Sequence, residues 1–185
     1  MKRRFFIKCL ALLVVLLATT VGAHEKSEQK AKSIVGIVTQ VIDGDTIWVS
    51  DGHGRHKVRL NHIDAPESNQ PFGSESTAHL KSIITNRTVR IEYEKSDRYG
   101  RILGVVFLGE TDVNLQMVCE GFAWHYRHFD KTPSYSVAES EARAAKRGLW
   151  AAPDPINPHK WRKKIKKQHG ARPCRQGLPP VYRAI

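Results

Sequence analysis

Two carboxylates stand close together in Asp43-Gly44-Asp45-Thr46, and a second acidic pair, Asp64 and Glu67, closes the segment Arg59-Leu60-Asn61-His62-Ile63-Asp64-Ala65-Pro66-Glu67. Carboxylate oxygens are hard ligands that suit Ca2+ or Mg2+, whereas no His and Cys set in the chain has zinc-finger spacing. Taken singly, each piece is ambiguous. Asp-Gly is an ordinary turn pair, and Asp97-Arg98-Tyr99-Gly100-Arg101 has the composition of a polar loop between strands. Together they supply what hydrolysis of a phosphodiester requires. A hard cation neutralises charge, a carboxylate activates water, and guanidinium forks bind phosphate oxygens in pairs as negative charge builds.

These groups converge only if the strands that carry them pair. Ile34 to Ile42 is rich in Val and Ile and reads as a strand, broken at Asp43-Gly44 and resumed at Thr46-Ile47-Trp48-Val49. Asp51-Gly52-His53-Gly54 turns the chain into a third strand, Lys57-Val58-Arg59-Leu60, so a meander is expected. The apolar positions Ala78, Leu80, Ile83 and Ile84 predict a helix between Gly73 and Asn86. Strands follow at Thr88 to Tyr93 and Ile102 to Leu108. Two more helices are expected, one from about Asp112 to Glu120 with Gly121 as its stop, the other from Val137 to Arg147 with Glu139 and Arg143 paired at i,i+4. The fold class is α+β: a five-stranded OB-fold-type β-barrel with about three helices.

In this order and spacing the motifs resemble the thermonuclease family, the staphylococcal-nuclease-like enzymes. One signature runs from Asp43-Gly44-Asp45-Thr46 through Arg59 to Asp64-Ala65-Pro66-Glu67. The other is Asp97-Arg98-Tyr99-Gly100-Arg101, continuing Ile102-Leu103-Gly104-Val105-Val106-Phe107. The resemblance covers roughly Ile34 to Trp150. It implies that Asp45 and Asp64 bind Ca2+ through their carboxylates and that Ala65 adds its backbone carbonyl. Glu67 is then the general base or orients the attacking water, and Arg59 and Arg101 bind the scissile phosphate and stabilise the pentacoordinate transition state. The family enzyme has Thr where Ala65 stands, which leaves a main-chain ligand intact, and Arg98 replaces a common Lys on the substrate side. Asp43 either shapes the turn and supports the ligands or ligates directly. From the residues themselves, Tyr99 and Tyr126 are candidates to hydrogen-bond phosphate or stack on a base, whereas Trp124 reads at least as well as core. His125 and His128 have no third metal-binding neighbour and read as solvated or substrate-side groups.

The chain has 185 residues, with 30 Lys and Arg against 18 Asp and Glu, a formal charge of +12. That length suits one domain, and the charge favours polyanionic partners. Three cysteines exclude a disulfide scaffold. Residues 1–23 read as a signal peptide: Lys2, Arg3, Arg4 and Lys8 precede an apolar run from Cys9 to about Ala18, with Val21-Gly22-Ala23 at the cleavage positions. The run is shorter than the roughly 20 residues that a membrane span needs. Export to the periplasm or the medium is expected, where a disulfide between Cys119 and Cys174 is chemically allowed. Residues 24–33 read as a mobile leader, 34–152 as the nuclease domain and 153–185 as a basic Pro/Lys/Arg-rich tail. The run Lys160 to Lys167 is either a solvated helix face or an auxiliary phosphate grip. The expected partners are DNA and RNA as substrates, for a monomer with no stable membrane association once the signal is removed. The competing reading is a non-catalytic OB-fold nucleic-acid-binding module; the joint presence of Asp45, Asp64, Glu67, Arg59 and Arg101 favours the enzyme.

Overall fold

The computed structural model describes residues 32–170. The expected signal segment, most of the leader and the tail beyond residue 170, Cys174 included, lie outside the described residues. In chain order the strands and helices are β1 (Lys32–Asp43), β2 (Thr46–Ser50), β3 (Arg55–Leu60), β4 (Ile63–Asp64), α1 (Gly73–Ile84), β5 (Thr88–Ser96), β6 (Ile102–Leu108), β7 (Thr111–Asp112), α2 (Val113–Cys119), β8 (Trp124–His125), α3 (Pro133–Ala144) and α4 (Pro158–Gly170). A single 3-10 turn, Gly148–Ala151, lies between α3 and α4.

The expected meander is present: β1 pairs antiparallel with β2, and β2 with β3. β1 is long because its two halves serve different partners, residues 37–43 facing β2 and residues 32–37 facing β5. Register shifts between Val38 and Gln40 and between Val41 and Asp43 bend the strand at this corner. The strand starts just before its apolar run because Lys32 and Ser33 pair with Tyr93 and Glu92. β6 pairs antiparallel with β5 and parallel with β3, and the second pairing, Arg59 opposite Leu103, closes a five-stranded barrel.

Val38, Ile47, Val49, Val58, Leu60, Ile91 and Val106 are fully buried, and α1 adds Leu80 and Ile84 to the same core. Each such side chain contributes roughly 1.5–3 kcal/mol by leaving water. Helix α2 covers the barrel with Val113, Met117 and Val118. Its N-cap Asp112 accepts the Leu115 N–H at 2.9 Å and the Tyr135 hydroxyl at 2.8 Å, which ties α3 to α2. The first turn of α2 also carries Asn114, which is fully buried. Its amide oxygen accepts the Val106 N–H at 3.1 Å, and its nitrogen donates to the Asn61 and Gly104 carbonyls at 3.0 Å each. The end of β3 is thereby stitched to the middle of β6 just before the chain reaches Asp64.

Two helical features differ from expectation. α3 begins at Pro133 rather than Val137, since proline at N1 has no N–H to lose, and it ends by Ala144, beyond which Lys146 turns left-handed at φ 52°. Helix α4 adds to the three expected and contains the Lys160 to Lys167 run. It docks on the loop before α1: the Trp161 indole donates to Asn69 Oδ1 at 3.0 Å, and Gln70 Nε2 donates to the Ile156 carbonyl at 2.6 Å. Among the described residues, no helix is long and apolar enough to cross a membrane.

Candidate active site

The β1–β2 and β3–β4 turns lie side by side because Thr46 pairs with Arg59, and the Asp45 carbonyl accepts the Leu60 N–H at 2.8 Å. Asp43 Oδ1 accepts the Asp45 N–H at 3.0 Å, which agrees with a turn-shaping role for Asp43. After β3 the chain reverses through His62, whose φ of 66° is left-handed, and this folds the Ile63 carbonyl back toward Arg59. The Arg59 guanidinium fills the space between the turns. Nη1 donates to the carbonyls of Leu60 at 2.7 Å and Ile63 at 3.0 Å, and Nη2 lies 3.0 Å from Asp45 Oδ2 and 3.1 Å from Asp64 Oδ1.

Asp45 is 7% exposed and Asp64 1% exposed. Asp64 is held there by β4, which pairs with β8 so that Asp64 faces Trp124. Asp45 Oδ2 also accepts the Ala65 N–H at 2.8 Å, and the Thr46 hydroxyl donates to Oδ1 at 3.1 Å. Burial drives the Asp45 carboxyl above the usual carboxylate range; Arg59 opposes the shift, and neighbouring Asp43 and Asp64 add to it. Two buried carboxylates that direct oxygens at one nitrogen form an anionic, all-oxygen donor set. With the backbone carbonyl of Ala65, this chemistry fits a hard divalent cation. Among the described residues, no group of three His, Cys, Asp or Glu side chains is placed to hold a metal, so a backbone oxygen or water is needed to complete the ligation.

Glu67 sits on a tight turn whose geometry comes from Gln70. The Gln70 side chain accepts the Glu67 N–H at 3.2 Å, and the Gln70 N–H returns to the Glu67 carbonyl at 2.8 Å. Arg101 is oriented by Asp97, whose Oδ2 accepts Arg101 Nε at 2.8 Å while Oδ1 accepts the Tyr99 and Arg101 N–H groups. Those hydrogen bonds hold the Asp97 carboxyl below its usual range even though burial pushes the other way. Arg98 donates to the Tyr99 hydroxyl at 2.7 Å.

The residues that the resemblance or the aromatic reading assigned to cation, phosphate or base all line one cavity of about 820 Å³, except Asp64, which lies just beneath it under Arg59 and Arg162. Asp43, Asp45, Arg59, Ala65 and Glu67 line it together with Arg98, Tyr99, Arg101 and Tyr126. Trp124 is core: it is 9% exposed, and its ring meets that of Trp150 at 4.4 Å. His125 is not solvated. It is 4% exposed, with Nε2 at 2.7 Å from Asp130 and Nδ1 at 3.1 Å from the Ser136 hydroxyl. The pairing of β8 with β4 carries it inside, which its polar neighbours in sequence do not reveal. His128 is exposed, as expected. Among the lining residues that the sequence reading did not assign are Phe129, which is 73% exposed, and Arg162, which reaches in from α4. The basic run around Arg162 was visible, but nothing in its spacing singles out that residue. Cys119 is half-buried, and burial raises its thiol pKa.

A family model described as staphylococcal nuclease homologue matches residues 57–152. That span includes Arg59, Asp64, Glu67 and Arg101; Asp45 precedes it and α4 follows it. An uncharacterized endonuclease of Escherichia coli is 45% identical over 130 residues, covering 70% of this chain and 85% of the relative. A Haemophilus influenzae protein of the same description is 36% identical over 160 residues, covering 86% of this chain and 87% of its own length. The micrococcal nuclease of Shigella flexneri is 40% identical over 142 residues, 71% of this chain and 82% of that protein.

Proposed function

The chain belongs to the staphylococcal nuclease homologue family, and on that premise we propose that this nuclease is an exported, Ca2+-dependent, sugar-nonspecific endonuclease hydrolysing phosphodiester bonds in DNA and RNA. The observation that carries the reading is the gathering of Asp45, Asp64, Glu67, Arg59 and Arg101 at one cavity. Asp45, Asp64 and the Ala65 carbonyl are the cation ligands. A divalent cation held there supplies positive charge to the reacting phosphate and acidifies water. Glu67 accepts the proton of the attacking water, or orients that water toward phosphorus. Arg59 and Arg101 donate to phosphate oxygens as charge accumulates on them, and the planar fork matches two oxygens at once. Each arginine already rests on carboxylates, so a phosphate takes over from partners of the same sign.

Arg98, Tyr99 and Tyr126 are the substrate-side groups. Tyr99 is 69% exposed, open to stack on a base without choosing which. Such groups read the backbone and the aromatic faces of bases, which supports broad substrate use. Export rests on the basic start, apolar run and small residues of the first 23 positions.

The test is incubation of single-stranded DNA, duplex DNA and RNA with the wild-type chain and with Glu67→Gln, in Ca2+ or in chelator. Cleavage of all three substrates in Ca2+ alone is expected, with a loss of about 100-fold or more in Glu67→Gln. Binding without calcium-dependent cleavage replaces this reading with a nucleic-acid-binding module on an OB-type barrel.

A further inference from the structure

Arg162 makes three hydrogen bonds with acids of the site. Nη1 donates to Asp64 Oδ1 and Nη2 to Asp64 Oδ2, each at 3.0 Å, and Nη1 also donates to Glu67 Oε1 at 2.6 Å. A fork set squarely on a carboxylate is the strongest ion-pair geometry that side chains form. The burial is lopsided: the Asp64 side chain is 1% exposed and that of Arg162 is 41% exposed, so the guanidinium lies over the carboxylate between it and solvent.

This arrangement has a chemical cost for the site. Asp64 Oδ1 also accepts from Arg59 at 3.1 Å, so both oxygens of Asp64 are engaged by guanidinium groups. A carboxylate engaged in this way is a poor ligand for a cation. Glu67 likewise has its Oε1 taken by Arg162 Nη1, so that oxygen is not free to hold an attacking water. The ion pair therefore restrains a cation-binding group and the base together.

The helix that carries Arg162 is also anchored by Trp161 on Asn69, by the His159 ring against that of His128 and by the preceding Ile156 carbonyl on Gln70. Lys160, Lys163, Lys164, Lys166 and Lys167 of the same helix are exposed, where salt screens their charge from the site. The helix lies after residues 57–152, the span that the family model matches, as Asp45 lies before it.

We propose that Arg162 is an autoinhibitory latch: it occupies Asp64 and Glu67, a divalent cation displaces it, and α4 thereby sets the cation concentration at which the site becomes active. The proposal rests on the reading of Asp45 and Asp64 as cation ligands.

The test is calorimetric titration of Ca2+ into the full chain and into Arg162→Gln, Arg162→Lys and Lys163→Gln. Arg162→Gln is expected to bind Ca2+ about tenfold more tightly or better, within the usual range of coupling between two linked events. Arg162→Lys, which keeps the charge and removes the fork, is expected to fall between. Lys163→Gln removes the same charge one residue away and is expected to stay within about twofold of wild type, since an exposed charge is screened. Saturable binding in Arg162→Gln alone also supports the latch. Equal or weaker binding in Arg162→Gln, with wild type binding Ca2+, overturns the latch and leaves the cation site standing. No binding in any of the four chains defeats both. If melting curves show Arg162→Gln unfolded, Arg162→Lys decides: tighter than wild type supports the latch, and equal or weaker overturns it. A second reading is Trp161 emission, isolated by subtracting a Trp161→Phe variant. It is expected to change through the Ca2+ titration, and a constant signal through saturation overturns the displacement.

Discussion

Arg59 turns its guanidinium into the protein, donating to the Leu60 and Ile63 carbonyls and to Asp64 and pairing by charge with Asp45. It therefore shapes the site as well as serving it. Lysine concentrates its donors at a single point and cannot span those acceptors. Arg59→Lys is expected to lower activity and also stability, the latter by about 1–3 kcal/mol as buried acceptors lose partners. Arg101 pairs with Asp97 and lies over the Tyr99 ring, and it holds no buried carbonyl as Arg59 does, so Arg101→Lys is the cleaner probe of chemistry. A fall of about 100-fold or more in kcat/KM with a nearly unchanged melting temperature is expected; near-wild-type turnover in a folded variant removes Arg101 from the transition state. Asp130 offers a test in acid. Burial pushes its carboxyl up, but hydrogen bonds from Thr132 and His125 and the charge of His62 outweigh that and bring it down from 3.8 to about 2. Because the folded value is the lower one, its contribution is complete above the unfolded value of about 4 and is lost as pH falls toward 2. The stability gap between wild type and Asp130→Asn, measured by denaturant melts, is expected to shrink as pH falls below about 4. At this scale the acids and arginines of the two signatures were legible because each signature is short. Asn114 and Arg162 were not, since one bonds to two separate segments, Asn61 and strand β6, and the other to a carboxylate 98 positions away.

The helix α1 N-terminus comes so close to the Glu67 turn that a β-carbon added at Gly73 falls on the Glu67 carbonyl oxygen. Gly73→Ala must push that turn aside, and Glu67 moves with it. The expected result is a drop of about tenfold or more in kcat, because small displacements of a reacting group are costly, while Ca2+ affinity stays near wild type. Loss of Ca2+ binding as well would mean that the disturbance reaches Asp45 or Asp64. Strands β1, β2, β3, β5 and β6 were readable because β-branched runs and Asp-Gly turns mark them locally. The two-residue strands β4 and β8 were not, since two residues have no period. Yet their pairing holds Asp64 under the cavity and draws His125 inside.

Across the whole molecule, the excess of positive charge is spread unevenly. Arg59, Arg98, Arg101 and Arg162 line the cavity, while the lysines of α4 lie exposed beside it. Replacing Lys160, Lys163, Lys164, Lys166 and Lys167 by Gln while keeping Arg162 is expected to raise KM for DNA and flatten its dependence on salt, because a helix without those charges neutralises fewer phosphates and so releases fewer counterions on binding. An unchanged salt slope would leave those lysines as a solvated face only. Short-range information sufficed for the five barrel strands, for the order of their turns and for the acidic and basic groups those turns carry, because alternation, turn chemistry and antiparallel register act over a few residues. Closure through β3 and β6, the burial of Asp64 and the seating of Arg162 on it depend on segments far apart in the chain. Whether such segments meet is set by packing and desolvation in three dimensions, and no spacing along the chain records the outcome.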